Sequence, residues 1–335
     1  MSTFKKTSLP RQRGLTIVEL MITILLSSFL LLGVLQLFIN SNSSDRTNSS
    51  LARLQENGRI ALDMLKQDLR RTGYQGCASP TVESRPNSSR IFPLEAMGVQ
   101  NVDLNEGAGT ANDSLVIRHA SPAMMRTTNI SQAQITFISG ANISFVADNR
   151  YEFILTNCED VAVFTGLASA RVDNPDAATS GSMPNQYTLT SLQGANNGAP
   201  PNFAGIPTGQ GSQFLRLVEN SFDIRNDATN NNRPTLYKNA EAMIADVDNF
   251  QVLYGVETGG QTRWVNAANL NDDLRQRVSR LQISLVMSSP DEVADQANTQ
   301  TLPIANIGAN TQLAAIADRR LRRVLNTVVD VRNRP

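Results

Sequence analysis

The sequence predicts an α+β fold. Three observations point there: a helical-period segment over residues 15–72, a series of short alternating apolar runs after it, and a β-branched run near the C-terminus. One helix followed by many short strands implies an antiparallel sheet packed on that helix. Composition bounds the function. The 335 residues hold 30 Lys+Arg, 30 Asp+Glu, one His and two Cys. A zero balance excludes a strongly basic nucleic-acid binder, so no nucleic-acid partner is expected. One histidine excludes a two-His metal centre, and two cysteines exclude a four-Cys zinc site or a disulfide-dense scaffold. No metal and no cofactor is therefore expected, and no enzyme.

The first element is a basic leader, residues 1–14, with Lys5, Lys6, Arg11 and Arg13 and no acid. Leu15 to Ile39 is apolar apart from a few Thr, Ser and Gln and one charge, Glu19. As a helix at ~1.5 Å per residue this run extends ~37 Å, against a bilayer core of ~30 Å. The cations on the leader side orient residues 1–14 to the cytoplasm and the rest away from it. An ordinary secretory signal fits poorly, because the run is too long and Leu37-Phe38-Ile39-Asn40-Ser41 lacks a small-residue cleavage site. A plain signal anchor leaves Glu19 unexplained, since an acid in a membrane costs about 2.5–3.5 kcal/mol on insertion scales. The plain alternative is that Glu19 lies near the headgroups; its spacing from Gly14 argues otherwise.

Arg13-Gly14-Leu15-Thr16-Ile17-Val18-Glu19-Leu20 resembles the N-terminal cleavage and methylation motif of type IV prepilins and type II secretion pseudopilins. The resemblance implies cleavage after Gly14 by a prepilin peptidase and N-methylation of Leu15. Members usually begin with Phe; Leu15 departs from that and favours a minor member. Glu19 then has a physical role. The freed amine of Leu15 sits in a low dielectric, and a carboxylate on a neighbouring helix neutralises it, because either charge buried alone is costly. Without the leader's four cations the chain holds 26 Lys+Arg against 30 Asp+Glu, a balance of −4.

The helix is expected to run from Leu15 to Thr72. Leu51, Leu54, Ala61, Leu62, Leu65 and Leu69 recur at helical spacing, with Gly58 on the same stripe, and Gly73 is a natural stop. The polar run 40–50 has poor helix propensity and is the place for a bend or local melting. No Pro lies between residues 15 and 72, so no fixed kink is expected.

The strands follow. Leu115/Ile117/His119, Tyr151/Phe153/Leu155, Phe250/Val252/Tyr254/Val256 and Leu281/Ile283/Leu285/Met287 alternate, and residues 323–332 are rich in β-branched side chains. Residues 169–213 are rich in Gly, Asn, Ala, Pro and Ser and read as a long surface insertion; 226–233 reads as a polar turn. Cys77 follows the helix and Cys158 follows the strand at 151–156. In an exported domain they are expected to form a disulfide that ties the helix end to the sheet; the alternative is two buried thiols.

A narrower resemblance lies in Asp68-Leu-Arg-Arg-Thr-Gly-Tyr-Gln-Gly-Cys77, Asn157-Cys158-Glu-Asp, Phe250-Gln-Val-Leu-Tyr-Gly255 and Val331-Arg-Asn-Arg334. These resemble, in order, the PilW-type minor pilins of type IV pili. That implies a pilin-like fold in three parts: a cleaved leader 1–14, a long helix 15–72 with 15–39 transmembrane, and an exported domain 73–335. It implies a subunit that primes pilus assembly and sits in the tip complex. The implied partners are the prepilin peptidase, other minor pilins, the major pilin and a tip-associated adhesin. The chain would reside in the inner membrane, domain in the periplasm, before reaching the pilus at the cell surface. A J-type pseudopilin of a type II secretion tip is the related alternative.

Competing chemistry reads weakly. His119 shares a face with Leu115 and Ile117, the place of a core histidine. Serine has no G-x-S-x-G elbow. Asp246/Asp248, Asp272-Asp273 and Glu159-Asp160 pair carboxylates, yet none matches a calcium loop, and solvated turns are expected. Gly205–Gly211 lacks the features of a phosphate loop. The sequon Asn129-Ile-Ser131 is compositional. Arg319, Arg320, Arg322 and Arg323, with Arg332 and Arg334, form a basic cluster without interleaved aromatics, expected as a solvated strand flank or subunit interface rather than a DNA site.

Overall fold

The computed structural model describes residues 14, 16–77, 110–121, 125–146, 149–174, 183–194, 201–271, 274, 277–307 and 311–331. The helix α1 runs over Ile17–Leu69, 53 residues. Thr16 caps it, its Oγ1 accepting the N–H of Glu19 at 3.3 Å, and Leu15 lies outside the described residues. The expected weakness at 40–50 is absent: the whole run is helical. Helix formation is cooperative, and a run of indifferent propensity between two strong halves is carried by its neighbours.

Sixteen strands follow among the described residues: β1 (Leu115–Ala120), β2 (Met125–Ile130), β3 (Gln134–Ser139), β4 (Arg150–Thr156), β5 (Val161–Ala168), β6 (Val172–Asp173), β7 (Asn185–Gly194), β8 (Gln213–Asp227), β9 (Arg233–Lys238), β10 (Glu241–Ala245), β11 (Val247–Thr258), β12 (Gln261–Val265), β13 (Val278–Glu292), β14 (Leu302–Pro303), β15 (Gln312–Leu313) and β16 (Arg320–Asp330). The fold is α+β, every pairing antiparallel, but the single sheet on the helix becomes two systems. A four-stranded sheet in the order β12-β11-β13-β16 carries the helix. Leu54, Ala61, Leu62, Leu65 and Leu69 meet Phe250, Val252, Tyr254, Ile283, Leu285 and Met287, all buried in one core. Gly58 faces Leu325 so closely that a Cβ would run into its side chain, which is why the stripe holds glycine there.

The second system is a closed barrel. The N-terminal end of β8 pairs β2, then β2–β3, β3–β7, β7–β5 and β5–β4 follow, and β4 returns to β8. Its interior is aromatic: Phe137, Phe153, Phe164, Tyr187 and Phe214, with ring centroids of Phe137–Phe214 5.0 Å apart and Phe153–Phe214 5.2 Å apart. Closure leaves this small sheet without a long open edge. β8 is the spine of the molecule. Its first residues belong to the barrel, and from Leu217 onward it pairs β1 and β9, whose Leu115, Ile117 and Leu236 join the helix core.

One expectation is corrected here. The segment 169–213 is not merely a surface insertion, because β7 lies within it and pairs both β3 and β5. Tyr187 and Leu189 are fully buried. Their alternation was masked by the polar residues around them: Gln186, Thr188 and Thr190 alternate outward, and Asn185 is a buried polar residue on the core face.

Candidate functional site: the apolar arm and its fixed base

The first half of α1 stands free of the rest of the chain. From Ser50 onward the same helix is half-buried, but from Ile17 to Ile39 every residue is exposed, Leu30 at 70 % and Phe29 at 66 %. This is the one helix among the described residues that is long and apolar enough to cross a membrane, and the apolar window is wholly unburied. Glu19 lies in the first turn of this arm, at the third helical position after the Thr16 cap. A carboxylate there complements the positive end of the helix dipole. Gly14 precedes the cap and is exposed, with nothing within 4 Å of a Cβ placed on it.

The base of the arm is held by two anchors. At the end of α1, Lys238 Nζ bonds Asp68 Oδ2 at 2.6 Å. The chain beyond it runs along β1: Gly73 N–H donates to Arg118 O, and Ala120 N–H to Tyr74 O. Cys77 then bonds Cys158 in a disulfide, Cα–Cα 5.0 Å, spanning 81 positions of sequence. Its N–H donates to Gln213 Oε1 at 2.9 Å. The helix end is thus tied to the β4–β5 turn at the barrel rim. Asn157 Oδ1 accepts the N–H groups of Glu159 and Asp160, so Asn157 caps the turn in which this acidic pair lies.

Behind the helix-bearing core of the four-stranded sheet a buried ion network lies where β11, β13 and β16 meet. Asp246 faces Arg233 Nη1 at 3.3 Å and Arg320 Nη1 at 3.5 Å. Asp248 takes Arg322 Nε at 2.7 Å and the hydroxyl of Ser288 at 3.1 Å. Arg322 Nη2 also donates to Asp318 Oδ2 at 2.6 Å, and Arg233 Nη2 to Pro290 O at 2.9 Å. The Arg322 side chain is only 2 % exposed. Burial pushes Asp246 above the ordinary carboxylate range despite its two arginines. The hydrogen bond from Arg322 holds Asp318 below that range. Burial opposes the charge of Arg322, but its two carboxylates outweigh it and raise its pKa.

Two expectations change with this network. Asp246 and Asp248 are not solvated, and of the arginine cluster Arg320 and Arg322 pair with them, while Arg319 and Arg323 stay exposed on the strand flank. Arg320 and Arg322 share a face of β16, but Asp246 stands between β10 and β11 with φ +63° and Asp248 follows at a bulge, so strand alternation alone does not pair the two motifs. Arg319 pairs Glu292 at 3.1 Å on the surface. Arg332, Arg334, Asp272 and Asp273 lie outside the described residues. His119 is buried, its Nδ1 3.0 Å from Ala120 O and its Nε2 3.3 Å from the Asn220 amide, a satisfied core histidine. Gly209 N–H donates to Thr127 Oγ1, fixing the glycine-rich stretch against β2, and Asn129 ends β2 at a turn closed by Ser131.

The described residues thus form an α+β protein: a bare apolar helical arm on an antiparallel, disulfide-tied domain. Residues 215–333 match the model of the type IV pilus-assembly protein W family, and residues 9–35 match the prokaryotic N-terminal methylation motif. Both matched stretches are similar to type IV pilus proteins, and together they span less than half of the chain. The first covers most of β8 to β16 and so includes the ion network; the second covers the residues just before the arm and most of the arm. A type IV-like pilin from Thermus thermophilus of known structure is similar at 13 % identity, over 55 % of this chain and 85 % of that one, with a TM-score of 0.21. A likeness of that size carries no structural weight. No curated protein sequence matches the chain.

Proposed function

We propose that this chain is a minor pilin that takes part in priming type IV pilus assembly and sits in the tip complex. The observation that carries it is the exposed arm, Ile17–Ile39, beginning at a methylation-motif match that contains Gly14, Leu15 and Glu19. A prepilin peptidase cuts after Gly14 and the new amine of Leu15 is methylated. The arm holds the subunit in the inner membrane, with the domain of residues 73–335 in the periplasm, and then packs among the helices of the fibre. There the carboxylate of Glu19 neutralises the amine of a neighbouring subunit and sets the stagger between them. The work is done by packing and charge pairing rather than by a reaction. Other minor pilins, the major pilin and a tip-associated adhesin are the partners.

The test is a deletion of the gene scored separately for surface pili and for protein secretion. Loss of pili with secretion intact is the expected result. Loss of secretion with normal pili would overturn it in favour of a J-type pseudopilin.

A further inference from the structure

The barrel has no long edge, but the helix-bearing sheet has one, and its chemistry is unusual. β16 is eleven residues long and terminates the sheet. Its charges stand at its two ends, Arg320, Arg322, Arg323 and Asp330; the centre, Val324-Leu325-Asn326-Thr327-Val328-Val329, carries none. It contains no proline, and its pairing with β13 runs without a bulge from Arg322 to Asp330. Edge strands are normally blunted by central charge, proline, bulges or shortness, and this one uses none of these along its middle.

Register fixes which groups are open. Val331 N–H donates to Ser279 O, one step beyond the Arg280–Asp330 pair, so odd-numbered residues of β16 face β13. Val324, Asn326 and Val328 therefore point their N–H and C=O groups away from the sheet, and among the described residues no backbone partner meets them. Val328 is 51 % exposed.

The opposite edge of the same sheet is β12. Asp113 N–H donates to Phe250 O, so even-numbered residues of β11 face away from β13; Tyr254 pairs Val265, and Thr262 and Trp264 of β12 are left facing outward. β12 runs antiparallel to β11, β11 antiparallel to β13, and β13 antiparallel to β16. β12 is therefore antiparallel to β16. Two copies with arms pointing the same way can join β16 of one to β12 of the other in the favoured antiparallel sense. An antiparallel β16–β16 pair is excluded, because its two-fold axis would point the arms in opposite directions.

We propose that β16 is a docking edge for a second, like-oriented copy of this chain, which adds its β12 and continues the sheet from subunit to subunit. Main-chain bonds from Asn326 and Val328 to Trp264 and Thr262 of that copy hold the contact, in the manner of strand addition. It is a head-to-tail contact, which leaves a further edge open at each end. This rests on the proposed membrane anchoring only through the shared direction of the arms.

Two differently tagged full-length copies, one Val328→Cys and one Thr262→Cys, are produced together in membranes and treated with a short bis-maleimide. Cys77 and Cys158 are bonded to each other, so only the introduced thiols react. The expected result is a mixed cross-linked dimer several-fold above that given by a Val172→Cys control copy on the exposed barrel surface. Adding Asn326→Pro to the Val328→Cys copy removes an outward donor but no bond to β13, so it should abolish the cross-link without changing thermal unfolding. A mixed dimer no more abundant than the control, a cross-link that survives Asn326→Pro, or a cross-link to a different protein in place of the second copy each overturns the inference. The readout precedes any fibre, so a missing cross-link beside normal pili fails this inference alone, and missing secretion beside a normal cross-link fails the functional reading alone.

Discussion

The two halves of α1 share one conformation and have opposite surroundings. From Ile17 to Ile39 the helix is apolar around its circumference and exposed at every residue; from Ser50 to Leu69 it is apolar on one stripe, and that stripe is buried. A helix that is hydrophobic all round needs lipid or other helices, whereas an amphipathic one needs a sheet. The lesson is that one continuous helix joins two solvents. Its first half stores about 25 cal/mol for each Å² of apolar surface a neighbour will cover, and its second half has already gained that from β11, β13 and β16.

The comparison can be broken most severely at Glu19. Glu19→Ala should still insert in the membrane, because it removes the arm's only charge, but should largely fail to enter fibres; sheared-pilus fractions probed for this subunit measure it, and normal incorporation would end the charge-pairing account. The next effect sets the halves side by side. Leu65 is fully buried and Leu30 is 70 % exposed. Leu65→Ala should lower the unfolding free energy of the detergent-solubilised chain by about 2–5 kcal/mol, as buried leucines do. Leu30→Ala should leave it unchanged while weakening helix–helix association.

The disulfide comes third. Replacing Cys77 and Cys158 together by Ser should cost about 4 kcal/mol on the loop-entropy estimate, seen as a fall in the urea midpoint. Labelling of two thiols in the untreated exported protein would mean that the bond is not formed there.

The smallest effect is the acid limb. Asp318 is held below the ordinary carboxylate range, so its contribution is present above that range and is lost as pH falls through its own lowered pKa. Asp246 is shifted upward, so its contribution has the opposite sign and is lost as pH rises through its raised value. Asp318→Asn should flatten the acid limb of a pH–stability curve, and Asp246→Asn should flatten the part just above it. Identical curves for both would dissolve the distinction between them.

Much of this was legible in the residues. The helical period of Leu51 to Leu69, the apolar run of the arm and the alternation of Phe250–Val256 are local patterns, and local patterns survive in a one-dimensional reading. The cysteines had no other partner in the chain. What escaped was non-local. β7 carries Tyr187 and Leu189 in polar, small-residue surroundings, and only the two strands beside it make it a core strand. Asp246 and Arg320 lie 74 positions apart, and nothing in either motif says that the other lies opposite.

The sequence by itself determined the arm, its single acid and the stripe that docks it, because each depends on the spacing of residues along one helix. The tertiary structure alone decided that the strands divide into an open helix-bearing sheet and a closed aromatic barrel. Closure depends on β4 meeting β8 across more than fifty residues of chain, a register set by packing. The same register decides which backbone groups of β16 face outward, and so where the sheet can grow.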